Sequence, residues 1–353
     1  MSLAEWGWND AWAVLCDQLK PTEGQPGRVV AQDRDRWWVQ TETGPATARI
    51  VSDARVTSRP VVGDWVVVVP GPNAADPWTV IDAFARRSRL ARGAAGTGRD
   101  EQVLAANVDV VWVVHGLDLP LNERRIERYL AVVWESGATP ELLLSKADLC
   151  SDVGEAAAEA ERVALGVQVR TVSSADAGSV ARLRDTLRPG STVALIGPSG
   201  VGKSTLVNLL APSAVASTAE VRSKDRKGRH TTTRRELYQI EGGALLIDTP
   251  GIRELRLWSV DEGLDRTFPD IEELALGCRF RDCRHDAEPG CAVLAAEAAG
   301  RIAPERVHSY RKLRAEAEHQ ARQSDPIARK AAVAEHKTAL KTMKYHHKYR
   351  GDG

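Results

Sequence analysis

The chain has 353 residues, which is enough for two or three compact domains. Hydrophobic residues make up 43% and charged residues 27%, a composition typical of globular proteins that excludes a collagen-like or wholly disordered chain. Because the formal net charge is zero, binding to nucleic acid or membrane cannot be argued from the charge of the whole chain. The N-terminus lacks the pattern of a secretory signal, and no apolar run is long enough to span a bilayer, so we expect a cytoplasmic protein with no membrane partner.

The first part of the chain, residues 1–95, has the pattern of a small β-barrel. Short apolar or alternating runs are separated by turn residues such as Gly44-Pro45 and Gly63-Asp64. The predicted strands are residues 28–30, 37–40, 46–51, 65–69 and 78–81. About five strands of this length favour an OB-like barrel.

From residue 96 to residue 260 strands alternate with helices, which predicts an α/β domain with a parallel sheet. The predicted strands are residues 108–114, 141–144, 167–172, 192–196 and 244–247. Ile126, Tyr129, Leu130 and Val133 recur at the spacing of one buried helix face.

The last part, residues 261–353, is predicted to be helical around a cysteine cluster. Residues 304–322 form one predicted helix, and residues 326–353 form a predicted basic helical tail. Between residues 326 and 350 of this tail, Glu335 is the one acidic residue. The chain is therefore predicted to be multidomain, with an N-terminal OB-like barrel, a central α/β domain and a C-terminal α-helical metal-binding domain.

One segment has the G-x-x-x-x-G-K-[ST] pattern of a phosphate-binding loop, and it lies between a predicted strand and a predicted helix, as the motif requires. Its backbone N–H groups and the helix N-terminus would bind the phosphates, Lys203 would reach the β- and γ-phosphates, and Ser204 would bind Mg²⁺. The alternative is a glycine-rich turn without a ligand. The predicted nucleotide-binding residues here are Gly197, Pro198, Ser199, Gly200, Val201, Gly202, Lys203, Ser204 and Thr205.

The base is predicted to be guanine from the sequence Ser145-Lys146-Ala147-Asp148, which follows a predicted strand and matches [NT]-K-x-D except at Ser145. Asp148 would accept hydrogen bonds from N1–H and the amino group of guanine, and the stem of Lys146 would lie along the base. A hydroxyl at Ser145 is shorter than an amide, so we expect weaker anchoring of the base. Ser173 and Ser174, after the next strand, suit the loop that closes over the base.

Two further segments match the switches of GTPases. Asp248-Thr249-Pro250-Gly251 has the D-x-x-G pattern, in which Asp248 would hold Mg²⁺ through water and the N–H of Gly251 would bind the γ-phosphate. Between this motif and the phosphate loop, Thr232 is the candidate that completes the Mg²⁺ shell. Ile252 stands where a water-orienting glutamine is usual, so slow intrinsic turnover and activation by a partner are expected. His230 is a candidate substitute for that glutamine, and an RNA-facing or inert histidine is the alternative.

Cys278, Cys283, His285 and Cys291 have the spacing C-x₄-C-x-H-x₅-C. Three thiolates and one imidazole form a closed tetrahedral set, which predicts one structural Zn²⁺ and disfavours zinc catalysis. Reduced thiols without a metal are the alternative. In so small a segment zinc would supply much of the folding free energy.

The guanine motif precedes the phosphate loop, the reverse of the usual order, which indicates a circular permutation. A barrel, the K-x-D loop, G-P-S-G-V-G-K-S-T, G-R-H-T-T-T, D-T-P-G and the cysteine cluster together closely resemble the circularly permuted, small-ribosomal-subunit-dependent GTPase family (RsgA/YjeQ). The resemblance covers nearly the whole chain. It implies GTP hydrolysis to GDP and phosphate, stimulation by the small ribosomal subunit, and a role in late maturation of that subunit.

Local positive charge supports a contact with rRNA. Basic residues cluster in the segment 222–235 and in the tail, beside a barrel of a type that often binds nucleic acid. Trp37 or Trp38 could stack on a base, although at least one is expected in the core.

The protein is expected to be a monomer. The rival hypotheses are a nucleotide-gated RNA-binding module with incidental hydrolysis and an adenine-specific enzyme, which Asp148 disfavours.

Overall fold

The computed structural model describes residues 2–19, 23–33, 35–50, 56, 58–73, 76–93, 101–211, 235–248 and 261–324. The chain divides into two compact units, residues 1–92 with 102–256 and residues 93–101 with 257–353. Each unit is described by itself below.

Strands dominate the first half of the described chain and helices the end. The strands are β1 (Gln25–Asp33), β2 (Arg36–Thr41), β3 (Gly44–Ile50), β4 (Trp65–Val69), β5 (Trp78–Ala83), β6 (Arg89–Gly93), β7 (Glu101–Ala106), β8 (Val110–Gly116), β9 (Thr139–Ser145), β10 (Gln168–Thr171), β11 (Thr192–Ile196), β12 (Arg235–Gln239) and β13 (Leu245–Asp248). The α-helices are α1 (Asp10–Leu19), α2 (Glu123–Glu135), α3 (Val153–Val163), α4 (Ala177–Arg184), α5 (Lys203–Leu210), α6 (Asp261–Thr267), α7 (Pro269–Ala275), α8 (Ala292–Ala298) and α9 (Pro304–Ser324). Two short 3-10 helices span Leu3–Trp6 and Ala147–Leu149.

The first five strands form the predicted barrel. They are hydrogen-bonded in the order β1-β2-β3-β5-β4, and β1 also pairs with β4, so the sheet closes on itself. Side chains alternate across a strand, and Val66 and Val68 of β4 therefore lie inside with Val29 and Trp37. Trp37 is buried, and its indole N–H donates to the carbonyl of Pro60. This confirms that at least one of the two adjacent tryptophans belongs to the core.

The opposite face of β4 is covered by the N-terminal segment. Trp65 and Val67 pack with Leu3 and Trp12, which lie in the first 3-10 helix and in α1, and with Phe84. The rings of Trp12 and Trp65 have centroids 5.9 Å apart. The N-terminal helix is therefore part of the barrel's packing, and β4 is buried on both faces.

The α/β sheet has the order β10-β9-β8-β11-β13-β12, in which β8, β9, β10, β11 and β13 are parallel and β12 is antiparallel to β13. Of the predicted helix face in α2, Ile126, Leu130 and Val133 are buried, and Tyr129 is half-buried. The carboxyl ends of β8, β9 and β11 lie at one edge of the sheet, so the loops that follow them meet there.

β12 was not predicted from the sequence, yet it joins the two folds. It pairs with β13 on one side and with β1 of the barrel on the other, where Ala31 faces Glu236 and Gln32 faces Arg235. The barrel and the α/β sheet therefore share one continuous 11-stranded sheet.

The second unit is helical among its residues 261–324, as predicted. Phe268, which precedes α7, packs edge to face against Tyr310 of α9 with ring centroids 5.4 Å apart. Tyr310 donates a hydrogen bond to Glu272 of α7, and Arg306 is paired with Asp270. These contacts hold α9 against α7. The predicted basic tail, residues 326–353, lies outside the described residues.

Candidate functional site

The glycine-rich loop runs from β11 to α5 and has the backbone geometry of a phosphate-binding loop. Gly197, Gly200 and Gly202 have φ angles of +143°, +84° and +91°, a region that L side chains rarely adopt. A Cβ at Gly197 would lie 2.4 Å from the carbonyl oxygen of Val114, so only glycine fits there. Gly202 is the residue before α5, and the loop therefore ends at a helix N-terminus.

Lys203 is the first residue of α5, and its side chain folds back over the loop. Its ammonium donates hydrogen bonds to the carbonyl oxygens of Gly197, at 2.7 Å, and Pro198. Ser204 and Thr205 are exposed on the next positions of the helix. A cation and two exposed hydroxyl-bearing residues therefore lie in the first turn of the helix, where the dipole also favours an anion.

The K-x-D loop follows β9 and is tied directly to the phosphate loop. Ser145, the last residue of β9, is buried, and its hydroxyl lies 2.6 Å from the carbonyl oxygen of Val201 and 3.1 Å from that of His115. Lys146 then has a left-handed φ of +58°, after which the chain enters the short 3-10 helix. Ser145 therefore joins the phosphate loop, β8 and the K-x-D loop.

Asp148 lies beside the loop that follows β10. The hydroxyl of Ser173 donates a hydrogen bond of 2.5 Å to Oδ1 of Asp148, and the amide of Ala147 donates to the carbonyl of Val172. Ser173 is buried, whereas Ser174 is exposed. The structure thus brings together three segments that are separate in the sequence: the phosphate loop, the K-x-D loop and the serine loop.

Sequence reasoning missed one partner of this site, Asp118. The Lys146 ammonium lies 2.6 Å from Oδ2 of Asp118, and this hydrogen bond holds the pKa of the exposed Asp118 carboxyl below its usual range. Asp118 follows β8, the strand beside β9. A carboxylate just after a neighbouring parallel strand is the signal that could have found it.

The candidate switch residues are placed only in part. Asp248 is the last residue of β13, beside the phosphate-loop strand β11. Thr232, His230, Gly251 and Ile252 lie outside the described residues.

The three cysteines and the histidine of the C-terminal cluster come together as predicted. Their ligand atoms all lie within 4.8 Å of one another. Nδ1 of His285 is 3.4 Å from Sγ of Cys291 and 3.7 Å from Sγ of Cys278, and those two sulfurs are 3.9 Å apart. Tetrahedral Zn²⁺ with zinc–sulfur distances of about 2.3 Å requires ligand separations of roughly 3.8 Å. The separations among Cys278, His285 and Cys291 are close to this value, and the sulfur of Cys283 lies within 4.8 Å of their ligand atoms, so the donor set suits one Zn²⁺.

The backbone around the cluster stabilises negative charge on two sulfurs. The amide of Ala292 donates to Sγ of Cys278 at 3.4 Å, and the amide of Leu294 donates to Sγ of Cys291 at 3.5 Å. Burial acts to raise the pKa of Cys278, but amide hydrogen bonds outweigh it and leave that pKa lowered. Burial raises the pKa of the Cys283 thiol to about 12. A bound cation would favour the thiolate of all three cysteines.

Comparison with known proteins agrees with this geometry. The family model described as RsgA GTPase matches residues 83–258. The small ribosomal subunit biogenesis GTPase RsgA of Opitutus terrae is 42% identical over 94% of this chain and 94% of its own. This chain belongs to the RsgA GTPase family. Membership makes it a GTP hydrolase that requires a guanine nucleotide and Mg²⁺.

Three further proteins are similar over most or all of this chain. RsgA of Syntrophotalea carbinolica is 38% identical over 100% of both chains. YjeQ from Thermotoga maritima has a TM-score of 0.64 at 25% identity, covering 84% of this chain and 99% of its own. YloQ, described as a circularly permuted GTPase, has a TM-score of 0.62 at 26% identity and covers 84% and 96%. The permuted fold is therefore confirmed.

A search of the helices in the described part of the chain finds none with the length and hydrophobicity of a membrane span.

Proposed function

We propose that this RsgA family member hydrolyses GTP to GDP and phosphate, is stimulated by the small ribosomal subunit, and acts in late maturation of that subunit through contact with rRNA. The observation that carries the catalytic part is the Ser145 hydroxyl, which joins the K-x-D loop to the phosphate loop at Val201. The names of the relatives from Opitutus terrae and Syntrophotalea carbinolica support the ribosomal part.

The nucleotide-binding residues have distinct roles in this proposal. Asp148 accepts hydrogen bonds from N1–H and the amino group of guanine, with its carboxylate oriented by Ser173. The stem of Lys146, oriented by Asp118, lies along the base. The remaining contacts come from Ser145, Ala147, Ser174 and the phosphate loop with Lys203, Ser204 and Thr205.

Hydrolysis requires charge neutralisation and a positioned water more than covalent chemistry by the protein. Lys203 neutralises the β- and γ-phosphates. Ser204 and Thr232 would bind Mg²⁺, and Asp248 would hold it through water. Gly251 would bind the γ-phosphate through its N–H. Because Ile252 cannot orient water, His230 or a ribosomal group is the candidate for that task.

The Cys278, Cys283, His285 and Cys291 cluster would hold one structural Zn²⁺, which would cross-link the loop between α7 and α8. With four protein ligands the zinc ion has no open position for substrate, so its role is in folding.

We propose three domains: the barrel in residues 1–95, the GTPase domain in 96–260 and the zinc-binding domain in 261–353. The protein is proposed to be monomeric and cytoplasmic.

A second candidate function is a nucleotide-gated RNA-binding module in which hydrolysis is incidental. The isoleucine at position 252 favours it, since the chain lacks the usual water-orienting side chain at this point. Under this alternative, small subunits would bind in a nucleotide-dependent manner without raising turnover.

The catalytic proposal is tested by measuring phosphate release from GTP and from ATP by the purified protein. Slow release from GTP and little from ATP are expected, and Lys203→Ala is expected to abolish the activity. The matched control is Lys312→Ala, in α9 of the other unit, which should hydrolyse GTP at the normal rate. Equal hydrolysis of ATP, or activity that survives Lys203→Ala, would contradict the proposed site.

A further inference from the structure

A cavity of about 780 Å³ lies at the edge of the α/β sheet opposite the nucleotide loops. It is lined at the amino ends of the parallel strands, by Val110 of β8, Thr139 of β9 and Ser191, which precedes β11. The nucleotide loops follow the carboxyl ends of the same strands. The cavity is therefore separate from the GTP site, and its volume falls in the range of small-molecule sites.

Positive charge predominates in the lining of this cavity. Four arginines and two carboxylates line it: Arg28, Arg87, Arg170, Arg188, Asp109 and Glu141. Glu141 is paired with Arg170 at 2.9 Å, and Oδ2 of Asp109 accepts a hydrogen bond from the backbone amide of Thr192. With Glu141 paired to Arg170, the Asp109 carboxylate remains to offset three arginines, Arg28, Arg87 and Arg188, and it attracts Arg28. The lining therefore keeps an excess of positive charge.

Arg28 is the unusual member of this set, because it is only 2% exposed. Its hydrogen bonds within the described chain go to uncharged oxygens: the carbonyls of Trp6 and Asn107, each at 3.2 Å, and the hydroxyl of Thr192 at 3.1 Å. Its Nε has no hydrogen-bond partner among the described residues. Burial lowers the pKa of Arg28 to about 10. A buried cation without an ion pair is costly, and an anion in the adjoining cavity would offset that cost.

The exposed arginines supply direct ligands at the walls. The guanidinium carbon of Arg87 lies 4.0 Å from the ring centroid of Trp12, which fixes the plane of the guanidinium. Arg188 is exposed in the turn before β11. Guanidinium groups bind carboxylates and phosphates through two parallel hydrogen bonds. A phosphate monoester carries up to two negative charges and therefore best matches a site with several arginines in excess over carboxylates.

We propose that this cavity binds a phosphate-bearing small molecule, with Arg87 and Arg188 contacting the phosphate and the buried charge of Arg28 attracting it from beneath. The aromatic surface of Trp8 and Trp12 would contact the organic part of the ligand. The cavity is half-enclosed, which favours a small molecule over the backbone of folded RNA.

The test is isothermal titration calorimetry of the Lys203→Ala protein with inorganic pyrophosphate in magnesium-free buffer. The substitution removes the lysine cation of the GTP site, and the buffer removes Mg²⁺. We expect binding at one site with a dissociation constant below about 1 mM. Arg87→Gln and Arg188→Gln, each added to Lys203→Ala, should weaken it at least about fivefold, because each removes a charge-assisted hydrogen bond. Both side chains are exposed, so folding should be preserved, and circular dichroism checks this.

The matched control is Arg162→Gln, an exposed arginine of α3 outside the cavity, which should leave pyrophosphate affinity within about twofold. A parallel titration uses a short single-stranded RNA without terminal phosphates. Absence of pyrophosphate binding, or binding that both arginine variants leave unchanged, would overturn the proposal. RNA binding that requires Arg87 and Arg188, without pyrophosphate binding, would also overturn it and assign this face to RNA.

Discussion

At the scale of single residues, the contacts of Ser145 determine how the two nucleotide loops are held together. Its hydroxyl lies within hydrogen-bond distance of the carbonyl oxygens of both Val201 and His115. Ser145→Ala should therefore remove the side-chain link between the K-x-D loop and the phosphate loop and weaken GDP binding by about tenfold. Displacement of a fluorescent GDP analogue measures this. Ser151→Ala, an exposed serine just beyond the loop, is the control, and equal affinities in both variants would refute the bridging role.

Asp148 provides a test of base recognition. In Asp148→Asn an amide replaces the carboxylate, so it can still accept from N1–H but meets the guanine amino group with its own donor. We expect GDP affinity to fall about a hundredfold or more. XDP, which carries a carbonyl in place of that amino group, should bind the variant better than GDP does. Competition between GDP and XDP measures the preference. A variant that still prefers GDP would contradict the assignment of Asp148 to the base.

At the scale of structural elements, the cysteine cluster is expected to determine the folding of the segment between α7 and α8. The purified protein should contain about one Zn²⁺ per chain, and Cys283→Ser should lose it, because three ligands hold the ion much less well. Metal analysis by mass spectrometry measures the content. Cys16→Ser, a cysteine of α1 far from the cluster in sequence, should keep the metal. Zinc retained equally by both variants would show that Cys283 is not a ligand.

Elements with a strong local pattern were predictable, and elements defined by distant partners were not. The strand at Thr192–Ile196 and the helix at Lys203–Leu210 follow from an apolar run and from the phosphate-loop motif. By contrast, β12 is the short sequence Arg-Glu-Leu-Tyr-Gln with only Leu237 buried, and its pairing with β1 joins residues some 200 positions apart. The contact of Lys146 with Asp118 was likewise missed, because it depends on the adjacency of β8 and β9. The K-x-D loop and the cysteine cluster could be located from the sequence because short motifs encode them.

At the scale of the whole molecule, the barrel packs closely against β7 and β13, so one methyl group added in the turn before β4 should lower stability. Gly63, in the turn before β4, has a φ of +91°, and a Cβ there would lie 2.1 Å from the carbonyl oxygen of Ala106 at the end of β7. Gly44 has a φ of +123° but open space around it, so it is a matched control for backbone strain alone. Gly63→Ala should lower the free energy of unfolding by about 2 kcal/mol more than Gly44→Ala does. Denaturant unfolding measures both, and equal losses would show that the junction is loose.

The permuted order of motifs has a consequence for the chain as a whole. The chain passes from β13 and the Asp248 motif directly into the second unit, which contains the cysteine cluster. A change at the γ-phosphate can therefore be transmitted along the chain to the helical unit, and a partner bound to that unit can act on the switch. Such a covalent connection is what the proposed stimulation by a bound partner requires.

Stimulation by the ribosome is tested by measuring GTP turnover with purified small ribosomal subunits, with large subunits in parallel as the control. We expect small subunits to raise turnover by about a thousandfold or more, as an activating partner does in other GTPases. Large subunits should have little effect, and Lys203→Ala should abolish the stimulated activity. If small subunits bind the GTP-loaded protein while turnover stays at its intrinsic rate, the stimulated GTPase proposed here is contradicted and the nucleotide-gated RNA-binding alternative is supported.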